Sequence, residues 1–300
     1  MTTWQFAWPE SLTRKAPLGW GLASLVCFIV FLFLTFPYGP LQNRLLTELN
    51  RVSGWEVRAS DWSVGFPAAI EWRDLVFAGP TNGAIPVEAV RATIGIFQAI
   101  VGQLVIDYAV QLPGASQSGA GRATGSLTAA TWSLEGPIAV KGRLQDMDLA
   151  IVLKPYVSRG TVQGDFMHRW DNAQGVQAAL KGEGTVKVEI KDLVVERIAA
   201  GASANLSLAF GRIQAALACR DGACDVTELK GDGADGSFTA QGRVALRQPL
   251  QQSLLDLTVT VIPGAGFAQK AASLSLPPFQ PGIPLTFKLV GPIMNARVAL

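Results

Sequence analysis

The sequence predicts a mainly β protein, in which a single N-terminal transmembrane helix precedes an antiparallel sheet with a few short helices. Three features carry this reading: a charge-free apolar run near the N-terminus, later segments that alternate apolar and polar residues, and abundant glycine, 31 of 300 residues. Glycine supplies turns, and alternation is the mark of strands with one dry face.

The anchor comes first in the chain. No charged side chain occurs from Ala16 to Asn43, and the densest part of the run is Leu18 to Phe36. About twenty helical residues reach ~30 Å, the thickness of the hydrocarbon layer. The run is longer than the apolar core of a cleavable signal, and Thr35-Phe36-Pro37-Tyr38-Gly39-Pro40 is not a small-residue cleavage site. An uncleaved anchor over 16–38 is therefore expected. Arg14 and Lys15 close to the run place 1–15 in the cytoplasm and 39–300 outside it, as a β-rich domain. Pro37 and Pro40 should break the anchor helix. Leu41, Leu45, Leu49 and Val52 then lie on one helical stripe that Gly54 ends.

Beyond Trp55 the period changes to two. Val186-Lys187-Val188-Glu189-Ile190-Lys191 and Leu255-Asp256-Leu257-Thr258-Val259-Thr260-Val261 both alternate. So do Asn205–Phe210 and Leu285–Leu289. The pattern puts Val186, Val188, Ile190, Leu257, Val259 and Val261 on one apolar side, with Lys187, Glu189 and Lys191 in water. Fully apolar runs are few, which argues against a sheet covered by helices on both faces. Helical interruptions are expected at Ile96–Val101 and from about Gly266 to Leu274. The stretches 113–121 and 276–284 read as a flexible loop and an extended proline-rich connector. Val140-Lys141-Gly142-Arg143-Leu144 is echoed by Ala240-Gln241-Gly242-Arg243-Val244, and each should precede an alternating strand, Asp148–Leu153 and Leu255–Val261.

Composition excludes several functions. Lys plus Arg is 25 and Asp plus Glu 23, a net charge of +2 without a basic run, so no nucleic-acid partner is expected. His168 is the one histidine, which rules out a multi-histidine metal site, and the three cysteines lack zinc spacing. No nucleophile-elbow or phosphate-loop pattern occurs. Gly231-Asp232-Gly233-Ala234-Asp235-Gly236 lacks the register and distal glutamate of a calcium loop, and reads as a turn. Trp55, Trp62 and Trp72 read as packing residues rather than a binding cage. Neither a catalytic residue nor a cofactor is expected.

The order of soft motifs points to a family. After the anchor come Thr35-Phe36-Pro37-Tyr38 and Gly54-Trp55-Glu56-Val57, then Lys191-Asp192-Leu193-Val194-Val195 and Phe210-Gly211-Arg212-Ile213. Leu229-Lys230-Gly231-Asp232-Gly233, Gly242–Leu250 and Leu255-Asp256-Leu257-Thr258 follow. This order resembles the type II secretion system protein N (GspN) family, which is related to the AsmA-like group. The resemblance implies an inner-membrane anchor, a curled antiparallel sheet (a β-taco) in the periplasm with an apolar trough, and no enzyme activity. It implies an auxiliary role in protein export, with the inner membrane and other secretion subunits as partners and the secretin as a candidate. The alternative it leaves open is lipid binding or transfer in the cell envelope.

An oxidising compartment gives meaning to Cys219 and Cys224. They flank Arg220-Asp221-Gly222-Ala223, and Asp-Gly is a strong type I′ hairpin signal. With Asp221-Gly222 as the loop, the cysteines face each other ~4.5 Å apart at the Cα atoms and should form a disulfide. Two free buried thiols are the alternative. Cys27 should stay unpaired.

Overall fold

The computed structural model describes residues 56–299 apart from 66–68, 79–83, 115–120, 132–135, 155, 172–179, 200–204, 248–251, 274–279 and 294–295, together with seven residues between 24 and 50. The chain divides into two compact units, Met1–Arg51 and Val52–Leu300.

In the first unit Ser24, Cys27, Phe28, Phe31, Gly39, Thr47 and Asn50 are helical. Gly39 is thus helical at the place where the two prolines were expected to break the chain. Among the described residues no helix is long and apolar enough to cross a membrane. The expected anchor over 16–38, the helix following it and the sidedness of the chain lie otherwise outside the described residues.

The second unit is one antiparallel sheet of fourteen strands in sequence order, each hydrogen-bonded to the next. The first half comprises β1 (Glu56–Gly65), β2 (Ala69–Ala78), β3 (Ala84–Ile94), β4 (Leu104–Gln111), β5 (Arg122–Ala129), β6 (Pro137–Asp148) and β7 (Val157–Asp171). The second comprises β8 (Glu183–Ala199), β9 (Asn205–Arg220), β10 (Ala223–Gly233), β11 (Gly236–Ala245), β12 (Leu254–Pro263), β13 (Leu285–Pro292) and β14 (Arg297–Ala299). Such a meander follows from short connections, because consecutive strands find each other before distant ones do.

Three short helices of this unit are α1 (Ile96–Ile100), α2 (Leu149–Val152) and α3 (Ala265–Ser273), and Leu180 is also helical. The first and third match the expected interruptions. The second corrects an expectation, since Leu149–Val152 is helical where Asp148–Leu153 was read as an alternating strand. The reason is local: the Asp148 carboxylate caps the turn by accepting from the Ala150 N–H at 2.8 Å. The echoed segments nevertheless both lie in strands, β6 and β11.

Strict alternation also fails inside three strands. Asp74, Asp146 and Asp192 have φ of 50°, 47° and 51°, in the left-handed region that aspartate tolerates better than most residues. The consequence is clearest in β8, where Ile190 and Leu193 pack in one apolar cluster although three positions apart. The left-handed residue between them resets the side-chain phase. Apolar-x-Asp-apolar (Trp72–Leu75, Leu144–Met147, Ile190–Leu193) is its sequence signature.

The core is thin. Leu104, Ala129 and Ile138 form one buried cluster, against which Trp170 packs. Val157, Leu193 and Ile213 form another, covered by Leu149 of α2. From the end of β6, α2 also reaches β3, three strands away, so the sheet curls toward this helix. Helix α3 is tied down by Lys270, whose ammonium donates to Asp235 at 2.6 Å and to the Ser207 carbonyl at 2.9 Å. Asp235 is 5% exposed and also accepts from the Ala209 N–H. The glycine-rich stretch 231–236 contains the β10–β11 turn, and Asp235 within it is a structural acceptor.

Candidate functional site

Directly paired residues of an antiparallel sheet share a face, so the register identifies what each face displays. One row crosses every strand. It starts at Val64, Ile70, Ala92 and Tyr108 of β1 to β4. It continues through Gly125, Gly142, Phe166 and Val186 of β5 to β8. Leu217, Val226, Gly242 and Leu257 carry it to β12, and Leu289 and Val298 end it. No member of this row is charged.

The row explains two glycines. The Tyr108 ring extends across Gly125 to donate from its hydroxyl to the Lys141 carbonyl at 3.2 Å. A Cβ on Gly142 would stand 2.6 Å from the Tyr108 hydroxyl and 2.5 Å from the Phe166 ring. Small residues here let two aromatic rings lie flat along the sheet, and burial pushes the Tyr108 phenol above its ordinary pKa.

Four of the six expected apolar residues are joined by the register in two pairs. Val186 and Leu257 belong to the row just described. Ile190 connects through Ile213, Gly231 and Phe238 to Val261. Val188 belongs to a row with Leu144, Gly164 and Ala215, and Val259 lies between Leu257 and Val261 on the alternating strand β12. Leu257 is buried at 7%, whereas Val186, Val188, Ile190, Val259 and Val261 are half-buried. A covering layer would have buried all six.

The opposite face is a lattice of charge pairs. Arg143, Asp165 and Lys187 stand side by side on β6 to β8, with Arg143 bonded to Asp165 at 2.7 Å. Glu189 accepts from Gln163 at 2.9 Å and pairs with Arg212 at 2.7 Å. The Gln163 hydrogen bond, with Arg212 and Lys191 nearby, holds the Glu189 carboxyl below the usual range against the opposing effect of desolvation. Glu189 is half-buried among these partners rather than fully in water, a correction to the expectation for this position. Two clefts of about 720 and 450 Å³ open along this charged face, both beside Arg143 and Asp165. Arg143, Asp165, Lys187 and Glu189 line the larger cleft together with Val188, one of the six residues of the expected trough.

The expected disulfide is present. Asp221 and Gly222 have φ of 51° and 82°, the two positive values a type I′ turn requires. Arg220 pairs with Ala223 and Cys219 with Cys224, giving an S–S bond of 2.04 Å. The Cα atoms are 3.9 Å apart, closer than the expected spacing. The bond lies on the apolar side, in a row with His168 and Gly184. His168 is half-buried and stacks on Trp170 at 5.5 Å between ring centroids. Cys27 is free.

Sequence reasoning missed the Lys270–Asp235 tie, because its partners are far apart in the chain and neither stands in a recognisable motif. Among the described residues no cluster of histidine, cysteine and acidic side chains could hold a metal ion. Comparison of the chain with protein-family models, with curated proteins and with solved structures found no match.

Proposed function

We propose that this chain is a non-enzymatic accessory subunit of the type II protein secretion system, tethered to the inner membrane and working in the periplasm through its sheet. The observation that carries the reading is the one-sided sheet: one face is apolar across fourteen strands, the other a self-satisfied charge lattice. That construction suits a surface that receives another molecule along its length. The motif order from Phe36 to Thr258 supplies the system, and the Cys219–Cys224 bond accords with an oxidising compartment.

A second reading is favoured by the half-buried state of Val186, Val188, Ile190, Val259 and Val261. An uncovered apolar face could shelter acyl chains, which would make the protein a lipid-binding or lipid-transfer component of the envelope. A photo-crosslinking residue at Val188 or Val259, activated in living cells, separates the two. Adducts with a secretion subunit support the first reading. Lipid adducts without protein adducts support the second.

A further inference from the structure

The β3–β4 connection carries an apolar tip. Phe97 of α1 is 84% exposed, and Val101, at the end of the helix, is 73% exposed. They are the two most exposed large apolar side chains among the described residues. They stand four positions apart, the spacing that puts two residues on one side of a helix. Ile96 beside them is 37% exposed. No charged residue occurs between Arg91 and Asp107, a stretch that spans the whole tip. Single apolar residues on a surface need no explanation, whereas a group of them in an uncharged setting marks a contact.

The tip is built to stay in place. Its stem belongs to the core, since Leu104 is buried and Ile94 and Ile106 pack against the same cluster. The loop also closes on its own backbone. Gly95 donates to the Val105 carbonyl and Gln103 to that of Gln98, both at 2.9 Å. Ala99 donates to the Gly95 carbonyl at 2.9 Å and Gly102 to that of Ala99 at 3.1 Å. The Gln98 amide folds back on the loop, because a Cβ on Gly95 would stand 2.6 Å from its side-chain oxygen. What faces outward is a set of apolar side chains on a backbone bonded largely to itself.

We infer that the α1 tip enters the interface of a lipid bilayer, with Phe97 and Val101 seated among the acyl chains. The inference rests on the tethered reading given above, which holds the domain beside a membrane. A protein pocket surrounds an apolar anchor with a polar rim. This tip has no charge to offer such a rim, and its helical amide, Gln98, is turned back over Gly95. A bilayer asks instead for apolar side chains and an internally bonded backbone, and the tip supplies both. Three side chains make a weak, reversible contact, which positions a chain already at the surface. With no charge taking part, zwitterionic and anionic bilayers serve equally.

The test uses the full chain reconstituted into dioleoylphosphatidylcholine vesicles, with Cys27→Ala as background and the native disulfide retained. A nitrobenzoxadiazole label is placed on Phe97→Cys or, for comparison, on Gln241→Cys at an exposed position of β11. The label at 97 should emit to the blue of the label at 241, and doxyl-labelled lipid should quench it roughly threefold more strongly. Adding phosphatidylglycerol or salt should change neither signal. Val101→Asp should abolish the shift at 97, and Val101→Leu should retain it. Residue 101 is exposed, so the fold is spared, and thermal unfolding checks this. A chain that does not float with the vesicles would overturn the tether and the inference together. Flotation with equal emission at 97 and 241 would overturn the inference alone. A blue shift in native membranes but not in the lipid vesicles would assign the tip to a protein partner and overturn it as well.

Discussion

Single residues set the phase of this sheet, and Asp192 shows how. Its left-handed backbone at φ 51° lets Ile190 and Leu193 share a cluster. Valine tolerates that region poorly because its branched Cβ crowds the following carbonyl. Asp192→Val should therefore cost about 1–3 kcal/mol, read by urea denaturation, whereas Lys191→Val should be nearly neutral. The apolar residues divide by burial. Leu257, at 7% exposure, should lose about 2–4 kcal/mol on change to alanine. Half-buried Val188 should lose less. Equal losses at the two sites would contradict the uncovered face. A third expectation concerns acid. Glu189, Asp225 and Glu228 all sit below their ordinary values of 4.5, 3.8 and 4.5, the first through Gln163, the others chiefly through hydrogen bonds from Arg243 and Lys230. A depressed folded-state pKa stabilises above the unfolded value and is lost as pH falls through the folded one. Stability should thus decline from about pH 5 downward, and the Glu189→Gln, Asp225→Asn, Glu228→Gln triple variant should flatten that decline. An unchanged acid profile would remove these groups from the account.

At the scale of elements, the β9–β10 hairpin was readable from the chain because its determinants are local. Asp221-Gly222 fixes the turn, the turn fixes the register, and the register fixes which residues oppose Cys219. A loop this short constrains the unfolded chain little, so reduction should cost about 2 kcal/mol and leave the hairpin folded. Intact mass after alkylation, with and without prior reduction, checks the pairing. Labelling of Cys219 and Cys224 without reductant would contradict it. The alternation of β8 and β12 was equally legible, since a strand with one wet face must write that face into its sequence. Helix α2 was not, because Leu149-Ala150-Ile151-Val152 has strand-forming composition and the Asp148 cap decides the outcome. The left-handed aspartates were also missed. Their three-residue apolar spacing violates the period-two rule, and only the paired strands show that it is a phase reset.

For the whole molecule, register carries the argument. Each strand's apolar set is modest, and the uninterrupted face emerges only when fourteen strands are aligned. No single segment contains that information, which is why the sequence displays a one-sided sheet in pieces and the structure assembles it. The expected anchor fixes how such a face would be presented. Reporter fusions after Leu300 should be active only for an exported enzyme, and a mature N-terminus near Gly39 in soluble periplasm would contradict an uncleaved anchor. If the protein serves the export of folded proteins, as proposed, deleting its gene in the source organism should stall that export. Cargo of the type II system should accumulate in the periplasm, or assembly of its outer-membrane pore should fail, while outer-membrane lipid composition stays unchanged. Intact secretion together with altered lipid composition would contradict the claim.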